Sequence, residues 1–532
     1  MLVRDRAVDR KRLAVYVFGV VVIVVLAFAG IGAGRSPAPD LPLAGLPPGP
    51  VGAVALRDLT LRVDAAGHDP HAVELMVDGA AVTGRVDGDT VVYKPEGLSD
   101  GEHTFTAEIP PGGVTGRLRD GPGTETTFTV DTTAPELEVT RPDTVASYRD
   151  PVTVRGRAPD AERVSIGAHS VTPGPDGSFV SELPHNPTGS EVVAVDAAGN
   201  TTTQPLTTGI DLPRMRAVHV TAHAWSYGPM REAVLDLARQ KRIDTVQLDI
   251  KDEDGVVGYA SKVPLARSTG AATPIYEARA ALRQLHDMGV QVVGRIVAFR
   301  DPTLAEWAWH HGRPDWVVQN PARQPYSSHY GSIAFTNFAH PEVRGYNIAL
   351  AVEAAELGFD GIMYDYVRRP DGRLSSMRFP GLKGPATEAV AGFLAQSRAP
   401  VHAAGAHQSA AVYGIAATRP DQIAQDIRLI APQVDYVAPM IYPSHWGPGE
   451  YGVANPNGQP FDIVAASLRD FQTVTKGTGA EVIPWLQDFS LGVDYGDAQV
   501  RAQIEATYTT GIDSFFLWSP SVEYHAGALD PK

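Results

Sequence analysis

From residue 213 onward, eight short apolar runs alternate with amphipathic stretches, and this alternation restricts the fold more than any other feature of the chain. The runs fall at 217–221, 245–251, 291–299, 361–367, 410–416, 434–442, 481–489 and 514–519. Between them, Met230, Ala233, Val234, Leu237 and Ala238 share one helical face over 230–240. Val343, Tyr346, Leu350, Ala354 and Leu357 do the same over 341–357. Apolar residues at that period mark helices packed on one side. Eight strand–helix repeats in about 320 residues predict an α/β architecture, a parallel (β/α)8 TIM barrel over 213–532. A doubly wound sheet uses the same alternation, but no glycine-rich phosphate turn follows the first strand. The chain ends soon after the eighth run, so the last helix is expected to be short or missing.

A chain of 532 residues is too long for one ordinary domain, and a multidomain protein is expected. Residues 1–12 carry Arg4, Arg6, Arg10, Lys11 and Arg12, and residues 13–34 carry no charge. As a helix that run spans roughly 33 Å, close to the ~30 Å hydrocarbon core of a bilayer. The preceding basic cluster predicts a single-pass transmembrane anchor, with a cytoplasmic N-terminus and the later domains extracellular. A cleaved signal peptide is the rival, although its apolar region is usually about 7–15 residues. Residues 35–50 are proline-rich and read as a linker.

Residues 51–131 and 132–210 then show strand-length runs separated by Asp78-Gly79, Asp87-Gly88 and Asp100-Gly101 in the first segment. Such runs between Asp-Gly turns predict two β-sandwiches. The junction Asp131-Thr132-Thr133-Ala134-Pro135 and the turn Asp196-Ala197-Ala198-Gly199-Asn200 resemble those of bacterial immunoglobulin-like repeats, which implies Ig-like spacer or binding modules.

In a parallel barrel the site lies at the C-terminal ends of the strands. Period-2 alternation on strand 2 puts Gln247, Asp249 and Lys251 on the face opposite Val246, Leu248 and Ile250, so Asp249 and Lys251 are expected to point into the mouth. Strand 4 ends with Asp365 among large apolar neighbours, followed by Arg368. A carboxylate in such surroundings must be paired or functional, because burying a bare charge is costly. Tyr442 and His445 follow strand 6, Trp485, Gln487 and Asp488 lie on strand 7, Trp518 ends strand 8, and His219 lies on strand 1. Aromatic faces suit the apolar faces of sugar rings, and two carboxyl groups across a pocket can cleave a glycosidic bond. Each residue also has a plainer role. Asp249 with Lys251 makes a simple ion pair, and Arg368 or Arg295 can support Asp365. Trp485 and Trp518 fit a core, His445 fits an ordinary loop, and Asp435 at the start of strand 6 is expected to be structural.

The net charge of −16 argues against nucleic acid, which needs a basic face. The absence of cysteine excludes disulfides, thiolate metal sites and cysteine nucleophiles. Asp252-Glu253-Asp254-Gly255 hints at a calcium loop, but Ile250 stands where the first ligand would be. Neither a zinc-binding His-Glu-x-x-His motif nor a Gly-x-Ser-x-Gly elbow occurs. No metal or organic cofactor is expected.

The segments Gln247-Leu248-Asp249-Ile250-Lys251-Asp252, Met363-Tyr364-Asp365-Tyr366-Val367-Arg368, Pro439-Met440-Ile441-Tyr442-Pro443-Ser444-His445, Pro484-Trp485-Leu486-Gln487-Asp488 and Leu517-Trp518-Ser519-Pro520 resemble, in order, a family of bacterial glycoside hydrolase domains formerly classed as of unknown function. The resemblance covers nearly all of 213–532. It implies a barrel distantly similar to the α-amylase and α-galactosidase groups, in which an aspartate ending strand 4 is commonly the nucleophile. Asp365 occupies that place. Relatives tend to carry an aspartate on strand 5 in a segment like Ser-Ala-Asp-Val-Phe-Gly, where this chain has Ser409-Ala410-Ala411-Val412-Tyr413-Gly414. If that aspartate donates the proton, Ala411 weakens hydrolysis.

The sequence therefore predicts a membrane-anchored glycosidase-like protein acting on a polysaccharide or cell-envelope glycan. Asp365, Asp249 and Asp488 are the candidate catalytic groups. Lys251, Arg368, Tyr442, His445, Trp485, Gln487, Trp518 and His219 are the candidate binding groups, and the lipid bilayer is the second partner. The alternative is a non-catalytic carbohydrate-binding or envelope structural protein with a degenerate site.

Overall fold

The computed structural model describes residues 40–110, 121–140, 142–186, 190–206 and 209–531. The anchor expected at 13–34 lies outside them. Among the described residues no helix is long and apolar enough to cross a membrane. The chain divides into two compact units, Met1–Asp131 and Thr132–Lys532.

In the first unit two four-stranded antiparallel sheets share a core of Leu61, Val63, Leu75, Val77 and Phe105. Strict alternation explains the sharing: in Gly101–Glu108, His103, Phe105 and Ala107 are buried and their neighbours are not. The Asp78-Gly79 turn joins Glu74–Val77 to Ala80–Val82 with both turn residues at positive φ, 51° and 75°. That is the hairpin turn matching strand twist.

The second unit opens with a three-stranded and a four-stranded antiparallel sheet around Val154, Val164, Phe179 and Val192. These sheets seat on the N-terminal end of the barrel strands. The Tyr148 hydroxyl donates to Asp435 Oδ1 at 2.8 Å, and its ring stacks on His402 at 3.8 Å. Arg149 Nη2 donates to Ala355 O at 2.7 Å. Asp435 also accepts from His402 Nε2 and Gln408 N, so it is structural, as its position at the strand start suggested.

The rest is a closed parallel barrel. Its strands are β1 Arg216–Val220, β2 Thr245–Lys251, β3 Gln291–Val297, β4 Gly361–Asp365, β5 His407–Tyr413, β6 Tyr436–Ile441, β7 in two pieces (Glu481–Val482 and Trp485–Gln487), and β8 Phe515–Trp518. Pairing of β8 with β1 closes the ring. The sequence read strand 7 as continuous, but Pro484 has no N–H to give the ladder and splits it. Amphipathic helices such as Gly228–Arg239 and Pro341–Leu357 cover the outside. After β8 the described chain has only the helical turn Ala526–Ala528.

Inward positions form layers from alternate strands. His219, Arg295, Ala411 and Trp485 come from β1, β3, β5 and β7. Asp249, Asp365, Met440 and Trp518 come from β2, β4, β6 and β8. The charged members of both layers sit toward the C-terminal ends of their strands, where the barrel opens.

Candidate active site

A cavity of about 370 Å³ opens at those ends. Its polar lining is Glu253, Arg295, Asp365 and His445, and its aromatic lining is Tyr330, Tyr366, Tyr413, Tyr442, Trp446, Trp485 and Trp518. Arg295 organises the charge. Its Nε and Nη2 donate to Asp365 Oδ2 at 2.9 and 2.7 Å, and its Nη1 donates to Asp249 Oδ1 at 3.0 Å. Nη2 also bonds Glu253 Oε1. Three carboxylates thus converge on one buried guanidinium, whose planar fork of fixed donors makes this possible. Burial works against the charged Arg295, yet Glu253, Asp249 and Asp365 hold its pKa well above the usual value.

Asp365 Oδ1 accepts from the N–H of Tyr366 at 2.7 Å. Tyr366 has φ of 47°, an unusual conformation for a bulky residue that is tolerated where a site fixes the backbone. It turns the Tyr366 ring across the cavity wall, where Arg300 donates to its hydroxyl at 3.1 Å. Trp518 stacks on Tyr442 with ring centroids 5.3 Å apart, and Phe489 packs edge-on against Trp518 at 5.0 Å. Tyr442 and Trp485 line the cavity, and the enclosed Tyr442 hydroxyl and Trp485 Nε1 have no hydrogen-bond partner among the described residues. Buried polar groups are normally satisfied, and these two are unsatisfied atoms enclosed in the cavity wall. Burial pushes the Tyr442 phenol well above its ordinary pKa and pushes the His445 imidazole down.

Of the residues singled out in the sequence, Asp365, Tyr442, His445, Trp485 and Trp518 meet in this cavity. Asp249 and His219 are bonded to each other at 2.9 Å (Nε2 to Oδ1) and stand behind Arg295 rather than on the cavity surface. Arg368 is buried behind the aromatic wall, over the rings of Tyr413 and Tyr366 at 4.5 and 4.8 Å. Gln487 is structural: its Oε1 accepts from Ser444 N at 3.0 Å, and its Nε2 donates to Phe489 O. Asp488 pairs with His525 Nδ1 at 2.5 Å, off the cavity. Burial raises its pKa although His525 opposes the shift.

Lys251 is the clear correction. A β-bulge between Asp249 and Lys251 pairs Lys251 with outward-facing Ile296, so alternation fails at that point. Its Nζ donates to Asp301 Oδ2 at 2.6 Å and to Asn347 Oδ1 at 2.9 Å, and the side chain is 0% exposed. Burial lowers its pKa, and Asp301 opposes that. Lys251 fastens the barrel wall to the loop after β3, and its side chain does not line the cavity.

Sequence reasoning gave no site role to Glu253, Tyr330, Tyr366 or Tyr413. Tyr413 shares the inward face of β5 with Ala411 and was accessible to the alternation argument. Glu253 and Tyr330 sit in loops, where no periodicity orients a side chain. Ala411 is buried in the barrel interior beside Trp485 and Met363, so β5 brings no carboxyl to this layer. Among the described residues no group of three His, Cys, Asp or Glu side chains is arranged to hold a metal ion.

Carboxylates, an arginine and a stacked aromatic floor at the C-terminal ends of a parallel barrel make a site of the glycoside hydrolase class. The chain belongs to the family described as "Putative glycosyl hydrolase domain", whose profile matches residues 217–524. Among solved structures, a hypothetical protein from Ruminiclostridium thermocellum ATCC 27405 is similar at 30% identity over 36% of this chain and 96% of that one, with a TM-score of 0.33. The PgaB (BpsB) glycoside hydrolase domain from Bordetella bronchiseptica is 17% identical over 60% of this chain and 100% of that one, with a TM-score of 0.45. A hyperthermostable endo-1,4-beta-D-mannanase from Thermotoga petrophila RKU-1 is 12% identical over 57% and 88%, with a TM-score of 0.39. No curated protein matches the chain.

Proposed function

We propose that the barrel cleaves a glycosidic bond within a polysaccharide, with Asp365 as the nucleophile or as the carboxylate that stabilises the oxocarbenium-like transition state. The carrying observation is the position of Asp365. It ends β4, lines the cavity, and is held by Arg295 and the Tyr366 N–H. A carboxylate so fixed is preorganised for the charge that develops at the anomeric carbon. Trp518, Tyr442 and Trp485 supply the aromatic wall for the sugar, with His445 at the rim. Residues 13–34 anchor the protein in a membrane, its later domains lie outside the cell, and the two sheet-paired modules act as Ig-like spacers holding the barrel toward a cell-envelope or environmental glycan.

A second reading, a glycan-binding protein without turnover, is favoured by Ala411, which removes the carboxyl expected on β5. The two separate on one experiment. Residues 40–532 are incubated with a panel of polysaccharides and the products are analysed. Sugar release by the wild type and its loss in Asp365→Asn support hydrolysis. Retention of glycan without products, surviving Asp365→Asn, supports binding alone.

A further inference from the structure

Resting on the hydrolytic reading, we propose that Glu253, on the turn after β2, is the general acid–base of the reaction and supplies the carboxyl that β5 lacks.

The placement of Glu253 differs from that of every other carboxylate near Arg295. Its side chain is 35% exposed and lines the cavity, whereas those of Asp249 and Asp365 are 1% and 3% exposed. It also sits on a turn rather than on a strand, so only its side chain, and no ladder hydrogen bond, has to shift for it to leave Arg295. That turn is itself anchored. Asp252 Oδ1 accepts from Asp254 N at 3.0 Å and Val256 N at 2.9 Å. Gly255, at φ of 79°, passes so close to Asp301 that a Cβ would lie 2.1 Å from its Oδ1. Asp301 is in turn held by Lys251. Glu253 therefore projects from a fixed base toward Arg295.

Glu253 and Asp365 contact the same nitrogen, Arg295 Nη2, so their contacting oxygens lie within two hydrogen-bond lengths of each other. Carboxyl pairs about 5–5.5 Å apart belong to retaining glycosidases, and those at roughly 6.5–9.5 Å to inverting ones. That bound lies below the inverting range, and a retaining separation is reached when the Glu253 side chain turns from Arg295 toward a bound glycosidic oxygen. Asp249 is screened by Arg295, and Asp488 is tied to His525 off the cavity; neither reaches a bound glycosidic oxygen from there.

Burial pushes the Glu253 carboxyl up, and Arg295 beside it reverses this, holding it at about 2. A sugar that takes Glu253 off Arg295 removes the largest of the lowering contacts, His219 and a backbone hydrogen bond being the lesser ones, and the carboxyl is then able to take up a proton. Arg295 keeps Asp365 and Asp249 as partners. Glu253 then gives its proton to the glycosidic oxygen as the C1–O bond breaks toward that oxygen and Asp365 forms a bond to C1. In the second half Glu253 takes a proton from water, whose oxygen displaces Asp365 from C1. The sum is one glycosidic bond and one water converted to two sugar hydroxyls.

The test compares wild type, Glu253→Gln, Asp488→Asn and Asp365→Asn. Substrates are the glycan that the wild type cleaves and a panel of dinitrophenyl α- and β-glycosides of common hexoses and amino sugars, whose leaving group departs without a proton. Expected for Glu253→Gln is a 10²–10⁴-fold loss on the glycan, less than about 10-fold loss of bond cleavage on the dinitrophenyl substrate, disappearance of the alkaline limb of the pH–rate profile, and recovery of turnover by azide. Equal losses on both substrates with the limb intact overturn the proposal and leave Glu253 a positioning residue. The leaving-group pattern in Asp488→Asn instead also overturns it. Asp365→Asn failing on both substrates alike marks the underlying reading as sound, whichever way Glu253 behaves. A wild type that cleaves none of the substrates removes that reading and the proposal together.

Discussion

Arg295 and Asp365 are joined by two hydrogen bonds to one carboxylate oxygen, Nε at 2.9 Å and Nη2 at 2.7 Å, and both residues are buried at the mouth of the barrel. The arginine neutralises a cluster that would otherwise be several adjacent buried negative charges, so it maintains the fold as well as the site.

Replacing Arg295 with Met leaves Asp249 and Asp365 buried without their cation. Breaking a buried pair from one side costs roughly 3–5 kcal/mol. We expect the denaturant midpoint of the barrel to fall accordingly, with sugar release abolished. A variant with unchanged stability would show that the carboxylates are solvated or protonated instead.

Lys251→Met is expected to be destabilising by a similar amount, about 3–5 kcal/mol, because Asp301 loses its buried partner. Equilibrium glycan binding, measured below the melting range, should stay within about 3-fold of wild type, a difference of under 1 kcal/mol. A selective loss of binding with normal stability would return Lys251 to the mouth.

Trp518→Ala removes the outer plate of the stack on Tyr442. Calorimetric titration with the cleaved glycan should show affinity lowered by about 1–3 kcal/mol, the scale of burying a large aromatic face. Trp485→Phe trims a side chain that is 1% exposed and leaves a void in the barrel interior, so it is expected to cost about 1–3 kcal/mol of stability, read as a lower denaturant midpoint.

Asp435 links the preceding sheets to the barrel through Tyr148. Burial raises its pKa, but His402, His407 and the Gln408 N–H hold it down at about 2, below the roughly 3.9 of an unfolded aspartate. Its contribution is therefore complete above pH ~4 and is lost as the pH falls from there toward about 2. Melting temperature should decline across that window in the wild type and decline less in Asp435→Asn. Tyr148→Phe should cost about 1–3 kcal/mol at neutral pH, by leaving a buried carboxylate oxygen short of a donor.

The barrel could be read from the chain because each strand announces itself locally. On β2, Val246, Leu248 and Ile250 pack outward while Gln247 and Asp249 face in, as period 2 requires. Asp365 and Trp518 were legible for the same reason, since both end strands in a fold whose site location is known. The reading failed where local rules stop. The bulge before Lys251 reversed its side, Pro484 broke β7, and the turn carrying Glu253 has no repeat to orient it.

The sequence by itself determined the eight-fold alternation, the family, and the strand ends that carry Asp365, Tyr442, Trp485 and Trp518, because periodic burial is encoded residue by residue. Only the tertiary structure decided that Arg295 gathers Asp249, Glu253 and Asp365. The partners of a buried guanidinium depend on which strands and loops close around it, and those distances arise only when the barrel does.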